Sequence, residues 1–245
     1  MSRIFSIISS KGGVGKTTVA INLAASLAKL GRKVTLIDTS IKTSDLGVYL
    51  GFHDYEYSLN DLLNREMDVR DAVYRLDSGF DIVPTSLAFE DMETSLLRFR
   101  NVIDELSDEN DFIIVDTPPG LEEGAVKAIE VCTDCLIVTT QELPSVTGAI
   151  KTALMARKLG VNPYGIVVNK FNNMGVSISE IAAAVMVPVV AVIPEDRNLS
   201  RAVSMKSPVI LCKPYSKAAI KFNFLGHMIS GEEYHEPGFI RKLLG

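Results

Sequence analysis

The stretch "IFSIISSKGGVGKTTVAINLAASLAKLG", residues 4–31, leaves a chain few ways to fold. An apolar run ends at Ser9, a glycine-rich turn follows, and a helical pattern starts at once and stops on Gly31 in a C-cap position. A strand that enters a helix through glycines reads as the opening of a β–α–β unit, and repetition of that unit builds a parallel sheet covered on both faces. The glycines also free backbone N–H groups to turn toward an anion at the helix N-terminus.

The strand pattern recurs in "VTLID" (34–38), "FDIV" (80–83), "FIIVD" (112–116), "CLIVTT" (135–140), "YGIVVN" (164–169) and "VVAVIP" (189–194). Several of these runs are apolar throughout, as strands buried on both faces must be. The fold expected is α/β, a doubly wound, mainly parallel sheet with helices on both faces. Between 41 and 79 the pattern loosens, and "SLNDLLNRE" and "DVRDAVYRL" read as two short helices, each opened by a capping Ser or Asp.

A length of 245 residues, 47% hydrophobic, suits one large domain. It is placed at 1–230, followed by a polar linker at 231–237 and a distinct tail at 238–245. The net charge of -5 gives no global attraction to nucleic acid or anionic lipid, so any such contact must rest on a local patch. Three cysteines make no disulfide framework, the N-terminal apolar run reads as a strand, and no run reaches the roughly 18 residues of a spanning helix. The expectation is a cytoplasmic protein with no integral membrane segment.

Residues 10–17 follow the phosphate-loop pattern G-x-x-x-x-G-K-[ST] with two departures: Ser10 replaces the first glycine, and Lys11 stands inside the loop. Gly12, Gly13, Val14 and Gly15 would turn backbone N–H groups toward phosphate oxygens, and Lys16 would bridge the terminal phosphates. Thr17 would ligate Mg²⁺ through its hydroxyl, with Thr18 beside it. Two strands end on acids, "VTLID" on Asp38 and "FIIVD" on Asp116. The second stands in the Walker B position, suited to holding the water shell of Mg²⁺.

"KGGVGKTT" resembles the deviant Walker A motif of the MinD/ParA family of ATPases, whose signature residue is the extra lysine, here Lys11. The resemblance implies ATP and Mg²⁺ as cofactors and an ATP-dependent homodimer, in which Lys11 reaches the partner's phosphates. It places Asn169 against the adenine edge, whose donor and acceptor pattern an amide matches, and Pro194 against the base. "TPPG" resembles the family's switch II, with Pro119 in place of an alanine. The family's D-x-D pattern after the second strand is half kept: Asp38 matches the acid that organises Mg²⁺ and water. Ser40 replaces the acid associated with positioning the attacking water, and Asp45 stands where an Asn is usual. Serine can orient a water but cannot act as a carboxylate base, so hydrolysis is expected to slow by ~10²-fold while binding survives.

"GFIRKLLG" resembles the membrane-targeting tail of the family's MinD branch. Phe239, Ile240, Leu243 and Leu244 share one helical face with Arg241 and Lys242 beside it, a pattern that can lie in a lipid interface. One copy binds weakly, and two in a dimer gain by avidity. The resemblance therefore implies an ATPase that moves between the cytoplasm and the inner face of the membrane. There it would position a cellular machine for division or motility through a protein activator or cargo. Two other readings compete with it: an ATP-locked platform with little turnover, and a ParA-like DNA carrier using Lys213, Lys217 and Lys221 as one cationic helical stripe. The pair in "CTDC", Cys132 and Cys135, reads as packing, and His53, His227 and His235 show no metal-ligand spacing.

Overall fold

The computed structural model describes residues 2–39, 45–85, 95–120 and 123–236. The first strand, β1 (Arg3–Ile8), leads into α1 (Lys16–Lys29), and β2 (Val34–Asp38) precedes the short helices α2 (Asp45–Leu50) and α3 (Leu59–Asn64). After β3 (Tyr74–Arg75) and β4 (Asp81–Val83) come α4 (Ser95–Glu109), β5 (Phe112–Asp116), α5 (Glu123–Glu130) and β6 (Asp134–Thr139). The remaining elements are α6 (Leu143–Lys158), β7 (Asn162–Phe171), α7 (Ile178–Val185), β8 (Val189–Pro194), α8 (Arg197–Ser204), α9 (Val209–Cys212) and α10 (Lys217–Ser230).

All the strands join one sheet in the order β3-β4-β2-β5-β1-β6-β7-β8, parallel throughout except where β3 meets β4. The expected doubly wound α/β fold is present. Its central strands are apolar on both faces because both faces are covered: α1, α9 and α10 pack on one, α4 and α6 on the other. β1 sits between β5 and β6, so the chain changes winding direction beside it. Crevices at the carboxyl ends of strands at such a switch point are where ligands bind in sheets of this kind.

Two local expectations change. "DVRDAVYRL" forms a single 3-10 turn, Val69–Ala72, capped by Asp68, and then enters β3. The β-branched and aromatic residues Val73 and Tyr74 favour pairing with β4 over a longer helix. The cationic stripe is also shorter than expected: Ser216 caps α10 by accepting from the Ala219 N–H at 3.2 Å, so Lys217 and Lys221 lie on the helix and Lys213 precedes it. Pro214 stands in the turn between, where it cannot extend a helix from Lys213.

Beyond α10, Gly231 adopts a left-handed φ of 75° and ends the helix. Glu232 then pairs with Arg32 at 2.7 Å, and the Tyr234 hydroxyl donates to the Ile220 carbonyl at 3.2 Å. The described part of the segment read as a linker is thus tied to the domain. Residues 238–245, with the whole of the proposed membrane face, lie outside the described residues, as do Ser40 and the side chain of Asp45.

Candidate functional site

The loop between β1 and α1 is fixed by its own backbone and by two later strands. Gly15 sits at the N-cap of α1 with φ 95°, a left-handed conformation costly for any residue with a Cβ. A Cβ there would lie 2.2 Å from Asn169 Nδ2, so glycine is also required by space. Asn169, at the buried end of β7, donates from that nitrogen to the Val14 carbonyl at 2.8 Å, and Lys170 Nζ donates to the Gly13 carbonyl at 2.8 Å. On the other side the Gly120 N–H donates to the Ser9 carbonyl at 3.1 Å, joining the phosphate loop to the "TPPG" turn.

A cavity of about 340 Å³ opens above this loop. Gly12, Gly13, Gly15, Lys16, Thr17 and Thr18 line one end. Tyr49 of α2, Asn169, Lys170 and three residues of α8 (Leu199, Ser200 and Val203) line the rest, with Thr117 and Pro119 along the rim nearest β5. Lys16 is buried among them. The loop's N–H groups, a lysine and the positive end of α1 make an anion cradle, and the more apolar wall of α8 faces it.

Asp38 and Asp116 are register partners on β2 and β5, and each is only 1% exposed. Thr39 ties the two strand ends, donating from its N–H and its hydroxyl to the Asp116 carbonyl at 3.0 and 2.8 Å. Two buried carboxylates at neighbouring positions repel unless a cation lies close. Both carboxylates end strands on the side of the sheet where the phosphate loop leaves β1, and with the Thr17 hydroxyl they offer hard oxygens of the kind that suits Mg²⁺.

A family model described as an AAA domain matches residues 2–160. An uncharacterized ATP-binding protein of Methanocaldococcus jannaschii is 35% identical over 233 residues, which cover 93% of this chain and 88% of that protein. Among solved structures, the cell division ATPase MinD of Pyrococcus furiosus superposes with a TM-score of 0.88 at 33% identity, covering 94% of this chain and 99% of that one. The septum site-determining protein MinD of Pyrococcus horikoshii, complexed with Mg-ADP, superposes with a TM-score of 0.87 at 31% identity, covering 94% and 96%. The chain belongs to the MinD/ParA family of P-loop ATPases.

Within this MinD/ParA chain not every residue read from the sequence lines the cavity: Asp38 and Asp116 stand at the neighbouring ends of β2 and β5, outside its lining. Gly12, Gly13, Gly15, Lys16, Thr17, Thr18 and Asn169 line the cavity, while Val14 holds Asn169 through its carbonyl. Pro194 does not line it: it ends β8 in register with Phe171, and α8 supplies the apolar wall there. Lys11 also lies off the lining, half-exposed, with Nζ 2.5 Å from the Glu142 carboxylate. The hydrogen bond from Lys11 and its charge hold Glu142 below the usual carboxylate range.

Sequence reasoning missed Tyr49, Lys170, Leu199, Ser200 and Val203. No short motif surrounds them, and only the fold brings them to the loop. Cys132 and Cys135 are buried; burial pushes both thiols up, that of Cys135 to about 12. Thiols so far from ionising are poor metal ligands, and no group of three or more His, Cys, Asp or Glu capable of holding a metal occurs among the described residues. No helix there is long and apolar enough to cross a membrane.

Proposed function

We propose that the chain binds Mg-ATP in this cavity, dimerises on it, hydrolyses it slowly and uses the dimer to hold a peripheral position on the membrane. The observation that carries the reading is the meeting of the phosphate loop with Asp38 and Asp116 at the carboxyl ends of β1, β2 and β5. Backbone N–H groups of Gly12–Lys16 would hold the β- and γ-phosphates, and Lys16 Nζ would sit between them. Thr17, Asp38 and Asp116 would hold Mg²⁺, which neutralises charge developing on the transferring phosphoryl group. Phosphoryl transfer asks little covalent chemistry of the protein, so placement and charge supply most of the rate. Ser40 would hold the attacking water by a hydrogen bond without taking its proton, which makes hydrolysis slow.

Lys11 supports the dimeric half of the reading. Its side chain is 46% exposed and engaged with Glu142 at the surface, outside the lining of its own cavity. Leu143 and Met174, exposed at 68% and 70%, follow Glu142 and Lys170 in the sequence and offer apolar surface for a second copy to cover. The tail supplies the membrane half through Phe239, Ile240, Leu243 and Leu244 with Arg241 and Lys242.

Phosphate release with Mg-ATP, measured on wild type, Lys16→Ala and Ser40→Asp, tests the catalytic part. Wild type should turn over, Lys16→Ala should not, and Ser40→Asp should be faster by about tenfold or more. Turnover that survives Lys16→Ala would remove the site. A Ser40→Asp protein no faster than wild type would leave the site standing and remove serine as the cause of slowness.

A further inference from the structure

From Arg197 to Gly231 the chain carries Arg197, Arg201, Lys206, Lys213, Lys217 and Lys221 and no Asp or Glu, in a protein of net charge -5. Among the described residues none of the six makes a salt bridge, whereas Lys11, Arg32, Arg65, Arg70 and Arg75 each do. At about 100° per residue, Lys217, Lys221 and Phe224 fall along one outer face of α10. Lys217, Lys221 and Phe224 are exposed there, while Ala218, Ala219, Phe222 and Leu225 are buried against the domain.

The segment after α10 returns along the same helix. Tyr234 packs on Phe224 and His227, with ring centroids 5.8 and 5.0 Å apart, and its hydroxyl reaches the Ile220 carbonyl. Ile220, Phe224 and His227 are spaced four and three apart, so this strap borders the face that carries Lys217 and Lys221. The chain therefore reaches Glu236 alongside the helix rather than beyond its end, and "PGFIRKLLG" follows within one residue.

We propose that the outer face of α10, through Lys217, Lys221 and Phe224, is a second membrane contact that takes the headgroups of anionic phospholipids beside the point where the tail leaves the domain. The inference rests on the peripheral-membrane reading above. Two lysines in an acidic protein attract a distant polyanion weakly, and a nucleic-acid site needs several phosphate contacts to hold at physiological salt. Next to a tethered amphipathic tail the same lysines meet lipid at a high effective concentration, where each contributes noticeably. An exposed phenylalanine one turn beyond them suits the headgroup boundary better than a row of phosphates. Glu232 is neutralised by Arg32; Glu233 and Glu236, both exposed on the same strap, oppose the contact, so Glu233→Gln should tighten it.

The test is sedimentation of the full chain, with Mg-ATP, on vesicles of neutral phosphatidylcholine alone or with roughly one-third phosphatidylglycerol. The expected result is tight binding of wild type to the anionic vesicles and loss on deletion of 238–245. Lys217→Gln/Lys221→Gln should bind about tenfold more weakly, with a shallower salt dependence, with ATP affinity unchanged and with thermal unfolding lowered by no more than the lost attraction between Lys217 and Asp196. If the double variant binds like wild type while the deletion does not bind, the inference is wrong and the tail reading stands. Wild type that ignores both vesicles overturns both. Retention on a DNA fragment that needs Lys217 and Lys221, with no vesicle binding, makes the partner a nucleic acid and overturns the inference.

Discussion

At its phosphate end the cavity is lined by residues of one short stretch, Gly12, Gly13 and Gly15–Thr18, whose backbone supplies the binding groups. At its far end it is lined by side chains from α2, β7 and α8, which are up to 154 residues apart, from Tyr49 to Val203. The first end is specified by conformation, since Gly13 and Gly15 adopt left-handed φ values and a side chain at either strains the turn. The second is specified by packing, and its residues can change one at a time. Substitutions at the phosphate end should therefore abolish binding, and those at the far end should grade it.

The strongest test of that contrast is Gly15→Ala. The left-handed φ costs about 1–2 kcal/mol, and the new Cβ must also displace the Asn169 amide that lies 2.2 Å away. Both effects distort the loop, so calorimetry should find Mg-ATP affinity reduced by roughly 100-fold or more, with the protein still folded. Wild-type affinity would mean that the loop tolerates the strain and that backbone geometry does not govern this end.

Asn169→Ala probes the joint between the two ends, because its amide both faces the cavity and holds the Val14 carbonyl. Loss of one buried hydrogen bond, with Val14 O left unpaired, costs about 1–3 kcal/mol. ATP binding should weaken about tenfold, and preference for ATP over GTP should narrow if the amide reads the adenine edge. A uniform loss for both nucleotides would assign Asn169 to the loop alone.

The same contrast explains what the sequence revealed. The parallel sheet was legible because strands covered on both faces must be apolar along their whole length, as "FIIVD" and "VTLID" are. The phosphate loop was legible because its chemistry lies in consecutive backbone groups that only glycine permits. Tyr49, Leu199 and Val203 carry no local signature, since a half-buried tyrosine or leucine on a short helix reads as core until its neighbours are known. Pro194 is the reverse case: a motif suggested a base contact, and the residue ends β8 without lining the cavity, where α8 supplies the nearest wall. The stripe at Lys213 was overextended because spacing of four says nothing about where Ser216 starts the helix.

The wall formed by α8 depends on Asp196, whose carboxylate accepts from the Asn198 N–H at 2.9 Å and from the Ala218 N–H at 3.1 Å, capping α8 and α10 together. Burial alone would raise its pKa, but the backbone bonds from Asn198 and Ala218 outweigh that, aided by the Asn198 amide and Lys217, and the net shift is downward. A carboxyl held lower in the folded state stabilises the fold above its ordinary range. The contribution fades as pH falls through the lowered value. Asp196→Ala should cost about 1–2 kcal/mol, read as a lower midpoint in thermal unfolding at pH 7, and the gap between variant and wild type should close in acid. ATP affinity should fall only a few-fold, through looser packing of Leu199 and Val203. A gap that persists unchanged in acid would show that the charge on Asp196 is not what joins the two helices.

Tyr49→Phe is the gentlest change. The hydroxyl lies 3.5 Å from Thr18 Oγ1, at the edge of hydrogen-bonding range, and the ring packs against the core between α1 and α8. Removing the oxygen leaves that packing in place, so unfolding should be unaffected. The position between the loop and the α8 wall corresponds to the middle of a bound nucleotide, where a phenol can donate to ribose or to the first phosphate. One neutral hydrogen bond contributes about 1 kcal/mol, so ATP should bind roughly fivefold more weakly. Comparing ATP with 2′-deoxy-ATP locates the contact: if the variant's loss disappears with the deoxynucleotide, Tyr49 meets the ribose. An equal loss with both places it on phosphate. No loss with either leaves Tyr49 as wall material, and makes the far end of the cavity a matter of shape alone.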